Sequence, residues 1–141
     1  MRMLAPSAIV PSFFTPDGHS VRYFFAKRDN GMKVAVIGSR NIIVPNLGEY
    51  LPQECDEIVS GGARGVDSCA ADHARTHGLK LTEFLPEYDK YGRGAPIVRN
   101  KLIVDYADTV LAFWDGASRG TLSVIRYCEQ TGKPCKIIRF E

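Results

Sequence analysis

The chain has 141 residues, 45% of them hydrophobic and 24% charged, enough for one domain that buries a core without disulfide or metal staples. Its net charge of +2 comes entirely from residues 1–31, because fourteen basic residues balance fourteen acidic ones from Met32 onward. Such a neutral domain argues against nucleic acid as a partner and favours a compact anionic ligand. Cys55, Cys69, Cys128 and Cys135 form no C-x-x-C pair and match no zinc spacing, which points to reduced thiols and a cytoplasmic chain.

Residues 1–31 differ in kind from the rest. Pro6, Pro11 and Pro16 interrupt every apolar stretch, and Asp17-Gly18 offers a turn, so no helix is expected there. This segment reads as a leader, either flexible or adding an edge strand over 21–27. It contains no unbroken apolar run suited to a secretory signal, and nothing in the chain is long enough to span a membrane. From Lys33 the pattern becomes regular. Short β-rich runs over 33–38, 57–60, 81–85, 109–114 and 136–140 alternate with helical stretches over 46–51, 66–77, 97–106 and 121–131. Gly78 and Gly132 mark helix ends. This alternation predicts an α/β domain over 32–141, a parallel five-stranded sheet with helices on both faces.

Four apolar runs end in small residues plus an arginine where a helix is due to begin. They are Gly38-Ser39-Arg40, Gly61-Gly62-Ala63-Arg64-Gly65, Gly92-Arg93-Gly94, and Asp115-Gly116-Ala117-Ser118-Arg119-Gly120-Thr121. A helix start carries partial positive charge and unpaired N–H groups, so an arginine there calls for an anion. In a parallel sheet these turns share one rim, where ligands bind at the point of strand-order reversal. One glycine turn is weak evidence; four together point to a bound phosphate.

Three of these stretches, I-V-S-G-G-A-R-G-V-D (58–67), Y-G-R-G-A-P-I-V-R-N-K (91–101) and 107–121, resemble the SLOG superfamily, nearest its YspA-like and YpsA-related branch. The resemblance spans nearly all of 32–141 and leaves the leader outside. It implies a Rossmann-like three-layer sandwich for nucleotides or nucleotide-derived ligands. More distant members are the Lonely Guy phosphoribohydrolases and the DNA-processing protein A that loads single strands.

Carried onto this chain, the resemblance assigns ligand contacts to Gly38, Ser39 and Arg40 in the first turn and to Gly61, Gly62, Arg64, Gly65 and Asp67 in the second. Asp67 has two roles open, a ribose hydrogen bond or stabilisation of its own helix. Arg99 and Asn100 follow Pro96, a residue suited to a first helical turn, and Tyr91 is placed to stack on a base. The last turn supplies Asp115, Gly116, Ser118, Arg119, Gly120 and Thr121, with Ser118 as cap and the glycine amides facing a phosphate.

The enzyme question turns on one departure. Lonely Guy enzymes carry Pro-Gly-Gly-x-Gly-Thr-x-x-Glu, and this chain has Val124 at the place of that glutamate. Valine transfers no proton, so the residues lean against catalysis and no catalytic residue is assigned. Glu83, Glu87, Asp89 and Asp115 are the carboxylates available as substitutes. His73 and His77 lie at i and i+4 without a third ligand, so no metal or other cofactor is expected. The leading expectation is capture of a nucleotide, or of a ligand derived from NAD or ADP-ribose, for sensing, sequestration or presentation. The alternatives are a nucleoside-monophosphate phosphoribohydrolase or related N-glycosidase, and a single-stranded DNA binder. A homo-oligomer is compatible with the apolar Leu122 and Ile125 and the nearby Tyr127.

Overall fold

In a computed structural model, residues 8–14, 20–25 and 31–140 are described. The strands are β1 (Ala8–Phe14), β2 (Ser20–Phe25), β3 (Met32–Gly38), β4 (Cys55–Ser60), β5 (Lys80–Phe84), β6 (Thr109–Trp114) and β7 (Cys135–Arg139). The helices are α1 (Val66–His77), α2 (Tyr88–Tyr91), α3 (Ala95–Tyr106) and α4 (Arg119–Thr131). One sheet carries the strands in the order β1-β2-β5-β4-β3-β6-β7. The five strands from β3 to β7 are mutually parallel, giving the Rossmann-like α/β core that the sequence pattern predicts.

Alternation along each central strand builds the three layers. Val34 and Val36 of β3 face one side with Ile58, Leu111 and Phe113, where α1 covers them with Val66, Ala70 and Ala74. Ala35 and Ile37 face the other side with Val59, Val110 and Ala112, beneath Ile103 and Val104 of α3 and Val124, Ile125 and Cys128 of α4. The expected stops appear as left-handed glycines, Gly78 after α1 and Gly132 after α4.

Two helical elements differ from the sequence pattern. The helix expected over 46–51 is a single 3-10 turn, Leu47–Glu49. Pro45 precedes it, Gly48 lies within it, and it buries only Leu47, too little apolar face to sustain an α-helix. Conversely, α2 is a short extra helix with no buried residue, invisible to periodicity.

The segment before Met32 contributes β1 and β2, an antiparallel pair joined through β2 to β5. Pro11 falls where the β1–β2 register shifts, on the edge strand, a position that tolerates a missing donor. The turn expected at Asp17-Gly18 and the residues beyond Phe25 of the strand expected over 21–27 lie outside the described residues. Among the described residues, no helix is long and apolar enough to cross a membrane.

Candidate functional site

Strand order reverses at β3: the chain steps outward through β4 and β5, then returns to place β6 on the other flank. At the carboxyl ends of these strands lies an open cleft of about 360 Å³. Clefts of this kind form where neighbouring crossovers leave the sheet on opposite faces. Its walls come from the end of β3 and its following turn (Ile37, Gly38, Ser39, Arg40, Asn41), from Gly61, Ala63 and Asp67, from α3, and from the start of α4.

Arg99 lies under this cleft, 8% exposed. Its Nη1 donates to the carbonyls of Gly61 (2.6 Å) and Phe84 (3.3 Å), and its Nε to Oδ1 of Asn100 (2.8 Å). The guanidinium therefore ties the ends of β4 and β5 to α3. Part of the positive charge that the sequence suggests would need an external anion is met by the protein's own carbonyls. Burial lowers the guanidinium's pKa, and the nearby Asp67 carboxylate pulls it back up.

Gly61 makes room for this arrangement: a Cβ there would stand 2.5 Å from Arg99 Nη1 and 3.0 Å from Asp67 Oδ2, so any side chain would displace the Arg99 guanidinium. Asp67, 7% exposed, accepts from the Ala63 amide at 3.0 Å through Oδ2. Burial pushes its carboxyl up to about 6; the Ala63 amide and Arg99 oppose that rise, and the Glu83 charge adds to it. Arg40, exposed at the cleft wall, also acts on Asp67 and Arg99 through its charge. Gly65 has φ +72°, and its Cβ position is occupied by the Arg40 backbone, so the first two turns are locked together.

The β6–α4 turn is built differently. Asp115 Oδ1 accepts from the amides of Ala117 (2.9 Å) and Ser118 (2.8 Å), and these bonds hold its carboxyl below the usual range. Ser118 Oγ then caps α4 by accepting from the Thr121 amide at 3.3 Å. Among the described residues nothing stands within 4 Å of a Cβ placed on Gly120, which opens on the cleft. Across from it Ser39 lines the cleft at 2% exposure; its hydroxyl makes no hydrogen bond of ordinary geometry, although it is near enough to Asp115 to favour the charged carboxylate.

The cleft thus gathers Gly38, Ser39, Arg40, Gly61, Asp67, Arg99, Asn100, Ser118, Gly120 and Thr121 of the residues the sequence singles out. Gly62 lines a smaller neighbouring cavity with Asp67 and Glu83, and Arg119 lines a groove on the other side. Arg64, Gly65, Tyr91, Asp115 and Gly116 do not line the cleft; Gly65 and Asp115 act behind its wall on the backbone. Ile37, Asn41 and Ile103 are wall residues outside the motifs, Ala63 and Pro96 lie within them without an assigned ligand contact, and Val124 lines the cleft as an apolar group. Ile103 follows Arg99 by four positions, one helical turn, and that spacing was the available signal. Among the described residues, no three His, Cys, Asp or Glu side chains group to hold a metal, and His73 and His77 stack with centroids 4.0 Å apart.

The chain is similar in fold to DNA processing protein A from Helicobacter pylori. The two are 20% identical with a TM-score of 0.57, over 96% of this chain and 82% of that one, in a structure that describes single-stranded DNA binding by that protein. No protein-family model and no curated protein matches the chain. The likeness overturns the expectation, drawn from charge balance, that nucleic acid is not a partner. A protein of this fold binds a single strand, and strand affinity follows the few cations placed along the contact rather than the net charge of the domain. Here Arg40 and Arg99 meet the cleft, while Lys101, Arg119 and Arg126 line the adjoining groove, although the domain as a whole is neutral.

Proposed function

We propose that this chain is a nucleotide-binding module that captures a phosphate-bearing nucleotide in the cleft beside β3 and β6. One observation carries the reading. At the switch point, Arg40, Arg99, Ser39 and the open start of α4 at Gly120 converge on a cavity of about 360 Å³, within the range of small-ligand sites. The phosphate would sit against the amides at the start of α4, with Arg40 free to swing onto it and Arg99 supplying fixed positive charge from below. The motif resemblance to the SLOG superfamily supports the same assignment of turns. Asp67 stands where a ribose hydroxyl would approach, and its raised pKa suits a site that gathers negative charge.

Binding without turnover is the favoured form of this reading, because Val124 gives the cleft an apolar side chain where a phosphoribohydrolase would carry its glutamate. A second reading is favoured by the fold of the Helicobacter pylori protein: the nucleotide captured belongs to a single DNA strand. One experiment separates these. The full chain is titrated with AMP, ADP-ribose, NAD and a 5′-phosphorylated oligothymidylate while melting temperature and released base are followed together. A ligand at about 100 times its dissociation constant adds roughly 2.7 kcal/mol of stability. Stabilisation by a free nucleotide without base release supports the module. Stabilisation by the oligonucleotide alone, lost steeply with salt, supports the strand reading. Base release contradicts the binding-only form, and silence across the panel contradicts the proposal.

A further inference from the structure

The nucleotide cleft does not end at α4. It adjoins a groove of about 500 Å³ between α3 and α4, and the two share Asn100 and Val124 as common walls. The groove's α4 side is a single stripe: Arg119, Leu122, Ser123, Arg126 and Tyr127 fall at helical spacing, on the flank beside the core-facing Ile125 and Cys128. Its α3 side adds Ile97 and Lys101, again one turn apart.

Two properties of this groove need explaining. Ile97 is 51% exposed at a place where a helical apolar residue would ordinarily find a partner. And Lys101, Arg119 and Arg126 all line it while, among the described residues, no carboxylate does. A second copy of this chain docked isologously through the same face would set cations against cations, so the charge pattern disfavours self-association there. An anionic ligand with an apolar body meets both properties.

Resting on the nucleotide reading above, we infer that the α3–α4 groove is a second subsite, which takes a further phosphate-linked nucleoside of a ligand whose first nucleotide occupies the cleft. Arg126 forks onto the linking phosphate, and the base of the second unit lies against Ile97 and Leu122. Lys101 packs over the Tyr127 ring at 5.6 Å, and the Tyr127 hydroxyl donates to Asp105 at 2.8 Å, so this wall is already ordered before any ligand arrives. The chain then prefers a dinucleotide unit over a mononucleotide, through a residue that plays no part in the first site.

The test compares AMP with the 5′-phosphorylated deoxyadenosine dinucleotide on the wild-type chain and on Arg126→Ala and Arg126→Glu. Arg126 is exposed and outside the core, so the variants keep the fold, which an unchanged melting temperature without ligand verifies. The wild-type chain is expected to bind the dinucleotide at least about tenfold more tightly than AMP, the size of one charge-assisted contact. Arg126→Ala should bring that ratio close to one and Arg126→Glu below it, with AMP affinity unchanged in Arg126→Ala. Equal wild-type affinity for the two probes overturns the second subsite and leaves the nucleotide cleft standing. Failure to bind either probe overturns the second subsite, and the nucleotide cleft falls with it only if ADP-ribose, NAD and the oligothymidylate also fail to bind. A wild-type dimer that Arg126→Glu tightens assigns the groove to self-association and also overturns the inference.

Discussion

The β4–α1 and β6–α4 turns look alike in sequence, each glycine-rich and each carrying an arginine, yet they do opposite things. The first is closed on itself: Gly61 makes room for Arg99 and Asp67, Gly65 makes room for the Arg40 backbone, and the arginine beneath is held by main-chain carbonyls. The second is open: Asp115 and Ser118 satisfy the turn from behind, and Gly120 faces empty space. Glycine in the closed turn serves the protein's own packing; in the second turn Gly116, at φ +86°, likewise makes room for the Arg139 guanidinium, and it is Gly120 that keeps the helix start accessible. The contrast teaches that a glycine-rich turn identifies a phosphate cradle only when the space freed by its missing side chains is not already filled by the protein.

Substitutions sharpen this contrast, beginning with the largest expected effect. Gly65→Ala puts a side chain at φ +72° and into the Arg40 backbone, so it should destabilise by about 3–5 kcal/mol, measured by chemical denaturation. A stable Gly65→Ala protein would show that the closed turn is not locked. Arg99→Ala removes three hydrogen bonds, those to the Gly61 and Phe84 carbonyls and to Asn100, a loss of about 3 kcal/mol that should appear without any ligand present. A loss confined to ligand binding would mean that Arg99 belongs to the ligand rather than to the scaffold.

Asp67 gives a pH test. Its carboxyl is raised from 3.8 to about 6 in the folded chain, so the native state holds the proton more tightly than the unfolded state. The charged form is the one the fold disfavours, and stability from this group falls as pH rises from about 4 through 6. Asp67→Asn should therefore be more stable than wild type at pH 7.5, by on the order of 2–3 kcal/mol, with the difference vanishing near pH 4. A pH-independent difference would remove Asp67 titration from the account. Gly120→Ala is the smallest change: a Cβ there meets nothing, and alanine favours the helix by up to about 1 kcal/mol, so thermal stability should hold or rise slightly.

Much of the fold is legible in the sequence because strands β3 to β7 and helices α1, α3 and α4 carry clear alternation or helical spacing, closed by Gly78 and Gly132. What fails locally is the helix over 46–51, where neighbouring proline and glycine defeat a weak apolar pattern, and α2, which buries nothing. In the cleft, the Ser118 cap is readable because its chemistry is local, and Gly38 and Gly61 are readable as small residues after strands, although Phe113 and Arg99, which fill the space beside them, lie far along the chain. Side-chain direction is not: Arg64 and Tyr91 belong to the right motifs but do not line the cleft, while Asn41 and Ile103 line it through packing that no short motif encodes. Charge has the same limitation, since a neutral sum hides the cations drawn to one rim.

The central claim is that the open start of α4 holds a nucleotide phosphate, and calorimetric titration of AMP into the wild-type and Gly120→Val chains tests it most directly. The account predicts that wild type binds, and that Gly120→Val, with a melting temperature within a few degrees of wild type, loses at least about tenfold in affinity because its side chain fills the space the phosphate needs. Equal binding by the two chains, or no binding by wild type of AMP or of any other nucleotide in the panel, would contradict it.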